Sequence, residues 1–192
     1  RIEPLFLEYE SNISLETSYW EEEQDGFDWL TYMAPSMAIL YLGFSMTSSA
    51  RSILRERDNG TFGRLLASPT RTAELITGKM LGTFLIGLIQ VFVFILVSIP
   101  LLGISWGNPF TLIVFTASLV LASASWGIVV ASLAKNSGQA SAMGMAINLV
   151  FAAVAGNFVP RQNYPMWMQE IGYLTPNAWG IKGFLELLNG GS

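Results

Sequence analysis

The chain has 192 residues, of which 52% are hydrophobic and 12% charged, with a formal net charge of −4. Soluble domains carry about 25% charged residues, so this composition excludes an ordinary soluble globular protein. Cys and His are both absent, which removes thiol nucleophiles, disulfides, Cys/His metal sites and every Ser-His-Asp arrangement, and the acidic balance argues against nucleic acid as a partner.

Residues 1–28 hold nine of the fourteen acidic residues against one cation, Arg1. This water-facing segment suits either the end of a folded domain lying upstream or an acidic linker. The first residue is Arg1 rather than Met, which suggests a piece of a longer protein. From Trp29 to Ala50 no charge occurs, and about twenty such residues satisfy an apolar core roughly 30 Å thick. Residues 29–50 therefore predict a first span, with Pro35 kinking it or marking its first turns and with Trp29 and Tyr32 in an interfacial belt.

Residues 51–79 form a basic loop in which Arg51, Arg55, Arg57, Arg64, Arg71 and Lys79 face Glu56, Asp58 and Glu74. If it is one helix, Arg57, Gly60, Thr61 and Arg64 share a face, with Leu54 and Leu65 on a neighbouring strip. Asn59-Gly60 is also a turn signal, so two short helices meeting there fit equally well. Ser68-Pro69 reads as an N-cap followed by a first-turn proline.

No charge occurs from Met80 to Ala134, and Pro100, Gly103, Gly107, Asn108 and Pro109 divide this stretch. Two spans are predicted, 80–102 and 110–133. A short polar loop of Lys135 to Gly138 precedes a fourth span, 139–159. The pairs Ala140/Gly144, Ala142/Ala146, Ala152/Gly156 and Ser123/Gly127 have the spacing that lets helices approach closely in lipid, and the stripes on the fourth span are candidates for a dimer face. Gln90 and Asn148 are the strongly polar residues inside spans and suit interhelical hydrogen bonds. The tail, 160–192, is amphipathic and broken by Pro160, Pro165 and Pro176, with Trp167 and Trp179 flanking the last break.

The two loops 51–79 and 134–138 carry seven cations, and the segments 1–28, 103–109 and 159–192 carry three. The positive-inside rule then puts residues 51–79 in the cytoplasm and both ends of the chain outside the cell membrane. The predicted fold is all-α: a polytopic bundle of four transmembrane helices. No predicted span holds Asp, Glu, Lys or His, so neither an ion relay nor an intramembrane general base is provided. No phosphate-binding loop is present, because Gly78-Lys79 is followed by Met80.

Glu56-Arg57-Asp58-Asn59-Gly60-Thr61, then Arg64 through Pro69 and Gly78-Lys79, resembles the cytoplasmic motif of type-2 ABC exporter permeases, the ABC-2 family. Pro165-Met-Trp-Met-Gln, Leu174-Thr-Pro-Asn-Ala-Trp179 and Gly183-Phe184 are similar to that family's re-entrant segment. The resemblance implies a six-span permease from which the first and last spans are missing here, with residues 1–28 closing an extracellular domain. It implies a homodimer or heterodimer that moves a hydrophobic or amphipathic substrate (a drug, peptide antibiotic or lipid) outward. ATP and Mg would be bound by a partner ATP-binding subunit or fused domain, so this chain itself is no enzyme and carries no cofactor. The coupling contact to that partner would fall on Glu56, Arg57, Gly60, Thr61, Arg64, Leu65 and Pro69. An outer gate would be formed by the extracellular re-entrant tail at Pro160, Pro165, Trp167, Pro176, Trp179 and Gly183. The competing reading is a non-transporting membrane scaffold whose basic loop recruits a cytoplasmic partner or anionic lipid.

Overall fold

The structure, a computed structural model, describes residues 29–61, 63 and 72–190. Its long helices are α1 (Trp29–Asp58), α2 (Thr72–Leu102), α3 (Pro109–Leu133) and α4 (Ser137–Ala155). A single 3-10 turn, Arg161–Asn163, then leads to α5 (Met166–Gly172) and α6 (Pro176–Asn189). Residues 1–28, Arg64, Leu65 and Pro69 lie outside the described residues, and with them the readings placed there.

Three stretches, Ala73–Leu102, Pro109–Leu133 and Ser137–Ala155, are long and apolar enough to cross a membrane. Their apolar residues point outward as well as inward. On α2, Leu81, Leu85, Ile89, Val93 and Leu96 are exposed at helical spacing, the stripe expected of a face that meets lipid rather than water.

α1 is as long, 30 residues, but carries more polar groups than the other three. Its position explains this. α1 packs against α2, α3, α4 and α6, and Ile39, Leu40, Leu42 and Met46 on it are buried. The fully buried Ser36 donates its hydroxyl to the Tyr32 carbonyl at 2.9 Å, within the same helix. A central helix can hold such groups because neighbours and its own backbone satisfy them, whereas lipid cannot. The helix runs through Pro35 without interruption.

The turns follow their local chemistry. Gly103 and Gly107, both with positive φ, reverse the chain between α2 and α3. Asn108 then caps α3 by accepting from the Phe110 amide at 2.9 Å, and Pro109 sits in the first turn. Asn136 caps α4 through the Gln139 amide at 2.8 Å. Several boundaries differ from the sequence reading, α1 first, which runs past residue 50 to Asp58. α2 starts at Thr72, so residues 72–79 of the expected loop are helical. α4 stops at Ala155, because Gly156 takes φ +93° and turns the chain before Val159.

Helix association in lipid depends on close contact rather than on expelling water. α1 and α4 show how that contact is made. A Cβ on Gly144 would stand 1.7 Å from Thr47 Cγ2, and one on Gly43 would stand 2.0 Å from Asn148 Oδ1. Asn148 in turn donates to the Leu40 carbonyl at 3.2 Å, the interhelical bond expected of it. The buried face of α4 is Ala140, Gly144, Asn148, Ala152 and Ala155. That small-residue stripe is therefore used against α1 and is not free for a dimer, while Ala142 and Ala146 remain exposed.

Candidate functional site

The two ends of the bundle differ in chemistry. At the basic end, α1 continues past its apolar section to Asp58, and Leu54 packs with Ala134 and Ala140. Three polar ties bind this extension to its neighbours. Arg51 Nη1 donates to Ser141 Oγ on α4 at 2.6 Å. Glu56 Oε1 pairs with Lys79 Nζ on α2 at 2.6 Å, both side chains roughly a quarter to a third exposed at 32% and 26%. Asp58 Oδ2 accepts from the Ser137 backbone N–H, the first residue of α4, at 2.8 Å. The amide and hydroxyl of Ser137, with Arg57 as a smaller influence, hold the Asp58 carboxyl below the usual carboxylate range.

Beyond Asp58 the helix ends. Gly60 adopts φ +68°, with its amide bonded to the Arg57 carbonyl at 3.1 Å. Thr61 Oγ1 folds back to donate to the Glu56 carbonyl at 3.0 Å. Arg57, Gly60 and Thr61 consequently sit exposed at a turn. The helix of α1 does not continue through Gly60, because a left-handed residue cannot continue a right-handed helix, and Arg64 lies outside the described residues.

At the aromatic end the three prolines each set the start of an element. Pro160 precedes the 3-10 turn, Pro165 precedes α5, and Pro176 opens α6 behind the Thr175 cap, whose hydroxyl accepts from the Ala178 amide at 3.3 Å. α5 and α6 form a hairpin that enters the bundle and returns. Its tip, Pro176 and Asn177, lines a cavity of about 30 Å³ with Gly43, Gly127, Gly144 and Asn148. Farther along α6, Gly180 sits on Ile39 and Leu119, and Gly183 sits on Phe115. Phe184 then packs edge-on to Phe115 and Trp106, with ring centroids 5.1 and 5.4 Å apart. These partners run progressively toward the start of α1 and α3, so α6 climbs from mid-bundle back to the surface. With 14 residues it is too short to span, since a crossing needs about 20. Trp167 and Trp179 are exposed, and Trp179 Nε1 donates to the Tyr173 carbonyl at 2.8 Å.

Sequence reasoning did not single out the residues that fasten this hairpin, apart from Tyr32, expected in an interfacial belt and found buried. Arg161 donates to the Gln169 carbonyl and lies 3.9 Å over the Tyr173 ring. Tyr164 donates to the Ala153 carbonyl at 2.9 Å, and Asn157 donates to the Ser36 carbonyl at 2.6 Å. Tyr32 reaches across from α1 to the Gly156 carbonyl. Arg161 offers only a charge in an aromatic tail, and Asn157 only a polar residue after a span, so neither carries a spacing signal. Likewise, Arg51, Lys79, Ser137 and Ser141 have no motif that announces their ties. Gln90, expected to make an interhelical hydrogen bond, lines a groove between α1 and α2 with Met37, Tyr41 and Phe94. Among the described residues no group of three or more His, Cys, Asp or Glu stands together as a metal site.

A sequence model of the ABC-2 family transporter protein matches residues 5–192. The chain belongs to the ABC-2 transporter family. It is 31% identical over 159 residues to the linearmycin resistance permease protein LnrN of Bacillus subtilis, covering 83% of this chain and 41% of that protein. It is 24% identical over 168 residues to the probable multidrug ABC transporter permease YbhR of Escherichia coli, covering 86% and 45%. A third relative, the probable multidrug ABC transporter permease YbhS of the same organism, is 22% identical over 189 residues, covering 96% and 49%. The chain thus spans less than half the length of these relatives. No solved structure matches it. Together with its apolar helices, this membership makes the ABC-2 chain a multi-pass membrane protein.

Proposed function

We propose that this chain is part of a membrane-spanning permease subunit that exports a hydrophobic or amphipathic compound when a partner hydrolyses ATP. The observation that carries the reading is the rigid continuity of α1. A single helix of about 45 Å runs from the aromatic end to Asp58, and there it is tied to both α2 and α4. A displacement applied at the exposed turn of Arg57, Gly60 and Thr61 is delivered to three helices at once, which is what a bistable bundle driven from outside requires.

In this reading α1 is a fourth span, and the basic end is cytoplasmic by the positive-inside rule. The ATP-binding subunit or domain, which holds ATP and Mg, docks on Glu56, Arg57, Gly60, Thr61 and the adjoining Arg64, Leu65 and Pro69. The α5–α6 hairpin lies toward the outside, where its movement against Ile39, Leu119 and Phe115 opens or closes the exit. The apolar character of α2, α3 and α4, and relatives named for linearmycin resistance and multidrug transport, favour a hydrophobic drug, peptide antibiotic or lipid as cargo.

The experiment is co-purification of the full-length protein from its native membrane, followed by an ATPase assay and efflux of an amphiphilic dye. Arg57 is exposed, so Arg57→Glu should leave membrane level unchanged while weakening ATPase association and abolishing efflux. Unchanged efflux in that variant would falsify the docking assignment. A well-folded full-length protein with no ATPase, bound or fused, would favour a scaffold.

A further inference from the structure

We propose that the groove between the start of α1 and the outer half of the α5–α6 hairpin is a binding site for the phosphate headgroup of an anionic phospholipid. The groove has a volume of about 310 Å³ and is lined by Tyr32, Arg161, Ile181, Lys182, Leu185 and Glu186 among others. Such a volume is at the lower end of what organic ligands occupy. Its charged lining residues are two cations and one carboxylate, a net single positive charge that matches a headgroup carrying one negative charge.

Both cations have donors to spare. Lys182 Nζ stands 3.8 Å from Glu186 Oε1, at the loose limit of an ion pair, with the two side chains 46% and 69% exposed. The same nitrogen lies 5.8 Å from the ring centres of both Tyr173 and Trp179, within reach of cation–π attraction. Arg161 is anchored through one nitrogen, Nη2, to the Gln169 carbonyl and by its stack on Tyr173, so its position is fixed while Nη1 makes no hydrogen bond among the described residues. A phosphate diester accepts charge-assisted hydrogen bonds from such a pair.

The level of the groove selects lipid over a free anion. Trp29, Tyr164, Trp167, Tyr173 and Trp179, each at least partly exposed, gather at this end of the bundle, as aromatic residues do at the headgroup region. The groove's lining also includes the partly exposed Leu185, together with Ala178 and Ile181, which are buried. Leu185 gives the first methylenes of a phospholipid an apolar contact and offers inorganic phosphate nothing.

The test measures lipid retention and needs no transport or ATPase readout. The full-length protein, with whatever subunits accompany it, is equilibrated with equal amounts of phosphatidylglycerol and phosphatidylcholine in mixed micelles, and bound lipid is counted by native mass spectrometry. Phosphatidylglycerol should be retained severalfold over phosphatidylcholine. Lys182→Gln should cut that preference about fivefold, the usual contribution of one cation at a membrane surface, and Lys182→Arg should keep it. Glu186→Gln, which removes the opposing carboxylate, should raise it. Equal retention of the two lipids, or a preference unmoved by both Lys182→Gln and Glu186→Gln, overturns the proposal. Displacement of the lipid by millimolar inorganic phosphate overturns it too, and assigns the groove to the free anion.

Discussion

The Asp58 carboxylate accepts a hydrogen bond at 2.8 Å from the backbone N–H of Ser137, a residue 79 positions away in the chain. The last residue of α1 thereby meets an otherwise unpaired amide at the start of α4, where the helix dipole also favours negative charge. Because the folded-state carboxyl titrates below its ordinary value, this tie is complete above about pH 4 and is lost as pH falls through the lower folded value. Activity that depends on it should be flat in this respect between pH 5 and 8. On the proposed function, Asp58→Ala should reduce efflux of an amphiphilic dye by the full-length protein at pH 7 while membrane level and the partner's basal ATP hydrolysis persist; equal efflux in the variant and the parent would remove Asp58 from the proposed mechanism.

Glu56 and Lys79 form a partly exposed pair, and such pairs contribute only about 1 kcal/mol or less to stability. The prediction therefore concerns coupling more than folding. On the proposed function, Glu56→Lys should lower dye-stimulated ATP hydrolysis by the full-length assembly several-fold with a small change in thermal midpoint, and the exchange Glu56→Lys with Lys79→Glu should restore much of it. A double variant no better than the single one would show that the pair acts through something other than its mutual attraction.

The α1–α4 crossing rests on the missing side chain of Gly144. Its Cβ would overlap Thr47 Cγ2 at 1.7 Å and come within 3.0 Å of Thr47 Cβ, so a larger residue must push the helices apart. Gly144→Val should destabilise the bundle by about 1–3 kcal/mol, the usual cost of overpacking. Fluorescence-detected size-exclusion after a heat step measures this. Thr47→Ala on the same background should recover part of the loss, since it removes the atom that clashes first.

On α6, a Cβ at Gly183 would lie 2.2 Å from Phe115 Cζ. Gly183→Leu should loosen the α5–α6 hairpin, lower the thermal midpoint by a few degrees, and make a cysteine placed at Trp179 more reactive toward a bulky water-soluble thiol reagent. Arg161→Gln, which loses the stack on Tyr173, should act in the same direction with less effect on the midpoint. If neither variant changes reagent access, the hairpin is fixed by contacts other than these.

The elements themselves were legible in the sequence. Charge-free runs marked α2, α3 and α4, Gly103 to Asn108 marked their turn, and Pro165 and Pro176 marked the starts of α5 and α6. Asn148 announced its interhelical bond because an amide inside an apolar run must find a partner. The charge and motif of the basic segment were legible, but not its geometry. The sequence left open one helix or two, and only the positive φ of Gly60 ended α1 at Asp58.

What the sequence by itself determined was which segments leave water, because hydropathy acts locally and a run of about twenty apolar residues suffices. It also determined where most helices begin, because caps and prolines act on neighbouring backbone. The tertiary structure alone decided that α1 is the central helix, that the Ala140–Gly144 stripe serves α1 instead of a second copy, and that Arg51, Glu56 and Asp58 find Ser141, Lys79 and Ser137. These outcomes depend on which faces meet. In a membrane every outward face is apolar, so pairing is set by the shape of small residues and by a few polar bonds between distant positions, and neither has a period that can be read along the chain.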